Sequence, residues 1–116
     1  LQPTSPLRNY KDIDEACRIF LKNSKSDSLV STTDVDNKSV KNKIMYSNDK
    51  FLSKKKNKKF TKPRLRNGPA ILIIDKKKIN KYILGGKILD FQMSKKKSLD
   101  INTNKDFQKV KKYFRW

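Results

Sequence analysis

The 116-residue sequence contains no histidine and a single cysteine, Cys17. One cysteine cannot form an intramolecular disulfide, and the absence of histidine removes the commonest zinc ligand. It also excludes the Ser-His and Cys-His pairs that activate catalytic nucleophiles. No apolar run approaches the roughly 20 residues that span a bilayer, and no signal-peptide pattern is present. We therefore expect a cytoplasmic protein without membrane contact.

Acidic residues are also scarce, because 11 Asp and Glu stand against 30 Lys and Arg and leave a formal charge of +19. Such a charge favours a polyanionic partner. However, only five of the basic residues are arginine, the side chain that forks onto phosphates and guanine edges. Lysine, asparagine and isoleucine are also the residues of A/T-rich codons, so base composition is a second explanation of the charge. A nucleic-acid-binding module stays an alternative, although we expect nucleic acid not to be the partner.

The apolar residues, although few, follow helical periods at both ends of the chain. Asp12 is placed to cap a first helix, with Glu15 in capping-box spacing. A last helix begins at Thr103, with Asp106 in the same spacing. The apolar face predicted for the first helix, which makes the cysteine a core residue, comprises Ile13, Ala16, Cys17, Phe20 and Leu21. The face predicted for the last helix comprises Phe107, Val110 and Phe114.

Short β-branched or apolar segments between these helices predict strands at 28–35, 70–74 and 88–92. A short helix is expected at 77–84, ended by Gly85 and Gly86. The alternation of strand and helix predicts an α/β fold with an open, largely parallel sheet. The lysine-dense segment 36–66 interrupts this rhythm and is interpreted as a basic excursion from a single domain.

Four local features could carry chemistry, and each has a simpler structural explanation. The polar cluster at 2–8 could bind a ligand at the end of a strand, or could be a proline-stiffened turn. Asn67 and Gly68 could approach a ligand closely, or could form a plain turn. Asp100 and Asn102 point the same way in an extended segment, so they could hold magnesium or could cap the last helix. The basic stretch 54–66 could grip an anion, or could be a solvated surface.

Taken in order, the motifs LQPTSPLR, DSLVST, RNGPAILI and SLDINTNKDF resemble the acylneuraminate cytidylyltransferases, also called CMP-sialic acid synthetases. The resemblance runs from Leu1 to about Phe107, which is nearly the whole chain. It implies a three-layer α/β domain of the nucleotide-diphospho-sugar transferase type. The implied reaction joins CTP to a nonulosonic acid and releases pyrophosphate, with Mg²⁺ as cofactor. It also implies a homodimer formed through residues 36–66.

The same resemblance assigns roles to individual residues. Gln2 matches the glutamine that contacts the acidic sugar, and Asn67 with Gly68 matches the pair beside the nucleotide and the sugar. Asp100 matches the first aspartate of a D-x-D metal pair, but the second position is Asn102, so one negative charge is lost and metal affinity should fall. The candidates for binding the sugar carboxylate are Lys58, Lys59, Arg64 and Arg66.

The N-terminal half of the family pattern, with its glycine- and base-rich loop for the CTP phosphates, has no counterpart in these 116 residues. We therefore expect residues 1–116 to be the C-terminal part of one cytidylyltransferase domain, inactive and marginally folded alone. The alternatives are a basic nucleic-acid-binding module and an inert remnant of a decayed gene.

Overall fold

The structure, a computed structural model, describes residues 1–35, 44–48, 51–53, 62–66, 70–81 and 86–114. It contains two α-helices, six strands and one 3-10 turn within these ranges. In chain order they are α1 (Tyr10–Lys22), β1 (Ser28–Asp34), β2 (Ile44–Asn48), β3 (Phe51–Ser53), β4 (Lys62–Arg66), β5 (Leu72–Ile74), the 3-10 turn Lys76–Lys78, β6 (Ile88–Gln92) and α2 (Asn104–Lys111).

Five of the described strands close into a small barrel. β1 pairs in parallel with β6 on one side, and its second half pairs antiparallel with β4 on the other. The ring β1-β6-β3-β2-β4 is completed by antiparallel pairs, while β5 lies antiparallel to the first half of β1. The predicted open, largely parallel three-layer α/β sheet is therefore wrong. Strands of the 36–66 segment pair back onto β1 and β6, so they satisfy the edges that an open sheet would leave unpaired.

The alternation of side chains along β1 divides the core into two parts. Val30 faces the barrel interior, where it is buried with Met45, Leu52 and Ile88. Its neighbour Leu29 faces outward, where it packs beneath α1. The residues buried in that outer cluster are Ala16, Leu29, Ala70, Ile71, Leu89, Phe91 and Met93.

α1 has the expected capping box, but shifted along the chain from the prediction. Asn9 is the N-cap, since its side chain accepts from the Asp12 backbone N–H at 3.1 Å and Asp12 accepts in return from the Asn9 N–H at 2.9 Å. Asp12 is therefore the third residue of the box and not the cap. The prediction that Cys17 belongs to the core is also wrong, because Cys17 is exposed and Leu21 is 79% exposed. The helix packs instead through Ala16 and its partly buried apolar neighbours.

The later elements follow the sequence more closely. Thr103 caps α2 and forms the predicted capping box with Asp106. The helix expected at 77–84 is shorter, because the chain makes only the 3-10 turn Lys76–Lys78, capped by Asp75; residues 82–85 lie outside the described ranges. Gly86 adopts the left-handed conformation, with φ of 67°.

Within the described part of the chain, neither helix is both long enough and apolar enough to cross a membrane.

Candidate functional site

The first and last sequence motifs meet in the structure. The Ile101 backbone N–H donates to the carbonyl oxygen of Thr4 at 2.8 Å, which brings residues 1–8 beside residues 99–103. We call these two segments together the loop junction. Both flank helices, since residues 1–8 precede α1 and residues 99–103 precede α2. The hydrogen bond therefore places Gln2 and Asp100, the predicted sugar and metal residues, on neighbouring segments.

The first half of the loop junction is a turn held by Arg8. The Arg8 Nη1 atom donates to the carbonyl oxygens of Gln2 at 2.6 Å and Ser5 at 2.9 Å. The Ser5 N–H also donates to the Gln2 carbonyl at 3.3 Å. Pro3 and Pro6 fix the backbone further, because proline locks φ. The turn consequently presents the Gln2 side chain at the surface, where it is exposed.

The second half of the loop junction carries the aspartate–asparagine pair. The Asn102 Nδ2 atom donates to Asp100 Oδ2 at 3.1 Å, so the two side chains are in contact just before α2. The other carboxylate oxygen, Asp100 Oδ1, is buried without a hydrogen-bond partner. Such an atom carries the full cost of its desolvation unless something binds it. The three buried side-chain atoms of the described residues in this condition are Ser5 Oγ, Thr33 Oγ1 and Asp100 Oδ1, so two of them belong to the loop junction.

The chemistry of this pair fits a weakly held Mg²⁺ ion. Magnesium takes one or two carboxylates from a protein and completes its shell with waters and phosphates. Asp100 Oδ1 is a carboxylate oxygen without a partner, and Asn102, which contacts the other carboxylate oxygen through Nδ2, also carries an amide oxygen. In the ranges that the structure describes, no three His, Cys, Asp or Glu side chains form a metal-binding group. The pair alone would therefore hold the ion with one protein charge.

The nearest acidic neighbour in sequence, Asp106, is engaged by the helix cap. Its Oδ2 atom accepts from the Thr103 hydroxyl at 2.9 Å, the Thr103 N–H at 3.0 Å and the Asn102 N–H at 3.2 Å. The hydrogen bond from the Thr103 side chain, with those from the backbone, holds the pKa of Asp106 below its usual value. Asp106 therefore stays ionised as part of the cap.

The predicted sugar-binding residue Arg64 points into the barrel. Its Nε atom donates to Asp90 Oδ2 at 3.1 Å, its Nη2 atom donates to Thr32 Oγ1 at 3.0 Å, and Nη1 pairs with Asp34. The side chains of Arg64 and Asp90 are 7% and 12% exposed, whereas that of Asp34 is 68% exposed. Two carboxylates thus neutralise the guanidinium within the protein.

A polar cleft of about 360 Å³ opens over this ion network at the barrel mouth. Its lining residues are Asp34, Ser47, Lys62, Pro63, Arg64, Asp90 and Gln92. Sequence reasoning missed this network, although β1 contained a signal. On the interior face of β1, Val30 is followed by Thr32 and then Asp34. This change from apolar to polar side chains indicates that one end of the barrel interior is open to solvent.

Of the other predicted site residues, Arg66 lies within the described ranges and four lie outside them. Arg66 is half-buried at the end of β4, opposite Thr32 in the β1–β4 register. Lys58, Lys59, Asn67 and Gly68 lie outside the described residues. Their assignment to the sugar or nucleotide stays a prediction.

No family model matches the chain, and no curated protein matches its sequence. The loop junction offers an exposed amide at Gln2, an orphaned carboxylate oxygen at Asp100 and an amide oxygen at Asn102. All three groups can accept hydrogen bonds, and the Gln2 amide can also donate them.

Proposed function

We propose that this chain supplies the sugar- and magnesium-binding side of a cytidylyltransferase that transfers CMP from CTP to a nonulosonic acid. The observation that carries the proposal is the loop junction, where the hydrogen bond between Ile101 and Thr4 at 2.8 Å joins the motif assigned to the sugar with the motif assigned to the metal. Short motifs that match a family by chance need not lie next to each other in the folded chain. The buried, unpartnered Asp100 Oδ1 adds independent support for a ligand at this position.

The role that we assign to the chain is to position the sugar and to help neutralise the phosphates of CTP. In the proposed reaction the oxygen of the sugar's anomeric hydroxyl bonds to the α-phosphorus of CTP and releases its proton to water, while the bond from that phosphorus to the departing pyrophosphate breaks. Gln2 can donate to and accept from the acidic sugar, because its amide has both kinds of group. Asp100 and Asn102 would hold Mg²⁺, which neutralises phosphate charge in such transfers. Orientation and charge neutralisation account for most of the catalysis in phosphoryl transfer generally.

The CTP phosphates need a cradle that this sequence does not contain. Three glycines are present in 116 residues, and none belongs to a glycine- and base-rich loop. We expect that cradle to come from another polypeptide segment and the 116-residue chain alone to be inactive.

The proposal includes a homodimer formed through residues 36–66. On the outward face of β2 and β4, Ile44 lies opposite Leu65 and Tyr46 lies opposite Pro63. Ile44, Tyr46 and Leu65 are half-buried, and Pro63 is exposed. A second copy covering this apolar patch would remove it from water.

The test is a titration of the ¹⁵N-labelled chain with N-acetylneuraminate in the presence of Mg²⁺. We expect amide shifts concentrated in residues 1–8 and 99–103, and roughly tenfold weaker binding by the Gln2→Ala variant, since one hydrogen bond to a charged ligand contributes about 1.5–3 kcal/mol. Gln92→Ala is the matched control, because Gln92 is an exposed glutamine at the barrel mouth. Shifts centred on the barrel mouth, or equal binding of neutral glucose, would contradict the proposal.

A further inference from the structure

A second surface, beside the loop junction, has properties that the proposed transferase does not use. α2 buries Val110, while Phe107 and Phe114 are 46% and 39% exposed. These side chains border a groove of about 280 Å³ between α2 and the loop junction. The groove is lined by Pro6, Ile101, Phe107, Val110, Lys111 and Phe114. We call it the α2 groove.

The accessible lining of the α2 groove is entirely apolar. Lys111 contributes its methylenes to that lining, because a lysine can lay its stem on apolar surface and keep its ammonium in water. The volume is slightly below the roughly 300–1,000 Å³ of small-molecule pockets. A groove of this size and chemistry suits an inserted apolar side chain.

Two lysines give the border of the α2 groove a positive charge. Lys111 lines the groove, and Lys112 is the exposed residue that follows it. The acidic residue of the helix, Asp106, is held in the cap by Thr103 and Asn102. Lys111 and Lys112 also line an adjoining hollow of about 330 Å³ with Gln108 and Phe114. An occupant therefore meets an apolar floor and a cationic border.

The apolar floor and the positive border together favour one kind of occupant over the others. Pairing of two such grooves would bring the lysines at the border of one against those of the other, so local repulsion opposes it. A membrane surface is engaged by apolar side chains that project from the protein, whereas this surface is concave. An acidic segment with apolar anchors satisfies both the floor and the rim, as in the binding of amphipathic helices to hydrophobic grooves.

We infer that the α2 groove docks an acidic amphipathic peptide segment of a partner protein. One leucine-sized side chain of that segment enters between Phe107 and Phe114, and its carboxylates face Lys111 and Lys112. The inference is independent of the proposed transferase chemistry, although Pro6 and Ile101 contribute to both surfaces.

The test uses a fluorescent peptide with Leu at helical spacing i, i+3 and i+7 and Glu at most other positions. Anisotropy is measured at about 0.1 M salt, where surface charges are screened beyond roughly 10 Å. We expect binding that weakens at least roughly fivefold when Leu is replaced by Ser, because an apolar side chain in a pocket contributes about 1–3 kcal/mol. Replacing Glu by Gln should weaken binding as well. Equal binding by the Ser peptide would overturn the inference, since it would show attraction by charge alone.

Two protein variants locate the binding surface. Phe107→Ser should weaken the interaction, whereas Tyr10→Ser should not, because Tyr10 is a 69% exposed aromatic on α1 and outside the groove lining. The double variant Lys111→Glu with Lys112→Glu tests the rim without removing an aromatic ring. Equal losses for Phe107→Ser and Tyr10→Ser would overturn the inference. Phe107-dependent binding to anionic phosphatidylserine vesicles without peptide binding, or a Phe107-dependent dimer of the chain, would also overturn it.

Discussion

At the scale of single residues, Arg64 shows how a buried basic side chain can stabilise a fold. It is buried with Thr32 and Asp90 inside the barrel, and Asp34 approaches from the exposed end. Burying a charge is costly unless it is paired and hydrogen-bonded, and Arg64 is both. The family resemblance made Arg64 one of four candidates for binding the sugar carboxylate. Burial and cross-strand neighbours could not be derived without the β1–β4 pairing.

The two carboxylates around Arg64 should differ sharply in their effect on stability. Asp90→Asn removes the nearly buried partner, and breaking a buried pair costs about 3–5 kcal/mol. Asp34→Asn removes a partner that is 68% exposed, and exposed pairs contribute about 0–1 kcal/mol. Urea unfolding of both variants measures the difference. Equal losses would contradict the placement of Arg64 and Asp90 within the barrel.

Gly86 is a second position where one residue controls the local chain path. Its φ of 67° lies in the left-handed region, and a Cβ atom there would lie 2.1 Å from Asp27 Oδ2. The same Asp27 oxygen accepts from the Lys87 N–H at 2.8 Å, which holds the approach to β6 beside the start of β1.

We expect Gly86→Ala to lower the free energy of unfolding by about 1–3 kcal/mol, because it combines a strained backbone with a displaced Asp27 carboxylate. Lys87→Ala is the control, since the exposed Lys87 side chain is replaced while its backbone N–H is kept; its effect should stay within about 0.5 kcal/mol. Thermal and urea unfolding of the pair check this prediction. A fully stable Gly86→Ala variant would contradict the turn geometry.

At the scale of elements, the capping box of α2 makes a pH-dependent contribution to stability. Asp106 is stabilised as a carboxylate by Thr103, so its pKa in the folded chain is lowered. A lowered pKa favours folding above the usual aspartate value of about 3.9, and this contribution is lost as the pH falls through and below it. Removing the Thr103 hydroxyl should remove part of that dependence.

Thr103→Ala should therefore lower the thermal midpoint more at neutral pH than at a pH below the folded pKa of Asp106. Thr103→Ser keeps the hydroxyl and should retain the wild-type pH dependence. Circular dichroism melts between about pH 7 and pH 2 give the comparison. A difference between Thr103→Ala and wild type that does not shrink in acid would contradict the assigned cap.

The helices and strands that have strong local signals could be predicted from the sequence. α2, β1 and β6 lie close to their predicted bounds because their signals are local: a capping pair at Thr103 and short apolar runs. The exposed position of Cys17 could not be predicted from periodicity alone, because packing against the sheet buries only part of the predicted apolar face, around Ala16. The closure of the barrel depends on pairing of distant segments, which local patterns do not specify.

At the scale of the whole molecule, the charge of +19 is compatible with two kinds of partner: a nucleic acid, or the acidic sugar and nucleotide of the proposed transferase. The described part of the chain holds three arginines in ordered contacts: Arg8 in the loop turn, Arg18 beside Glu15, and Arg64 in the barrel. Base recognition by arginine forks therefore lacks support in this region, and lysines carry most of the remaining positive charge.

We accordingly expect weak, sequence-independent binding to duplex DNA that disappears with salt. Filter binding at about 0.05 and 0.2 M salt measures this, since each phosphate contact changes log affinity by about 0.9 per log of salt concentration. No retention is expected at micromolar protein and the higher salt. Tight, sequence-selective retention there would support the nucleic-acid-binding alternative over the transferase proposal.

Binding of a divalent cation at the loop junction is tested most directly by a titration of the ¹⁵N-labelled chain with Mn²⁺. Mn²⁺ accepts the same oxygen ligands as Mg²⁺ and broadens nearby amide signals. We predict selective broadening of residues 99–103 together with residues 1–8, its loss in Asp100→Asn, and at least severalfold tighter binding in Asn102→Asp, which restores a second carboxylate. Broadening centred on the exposed Asp34, or no gain from Asn102→Asp, would contradict the assignment.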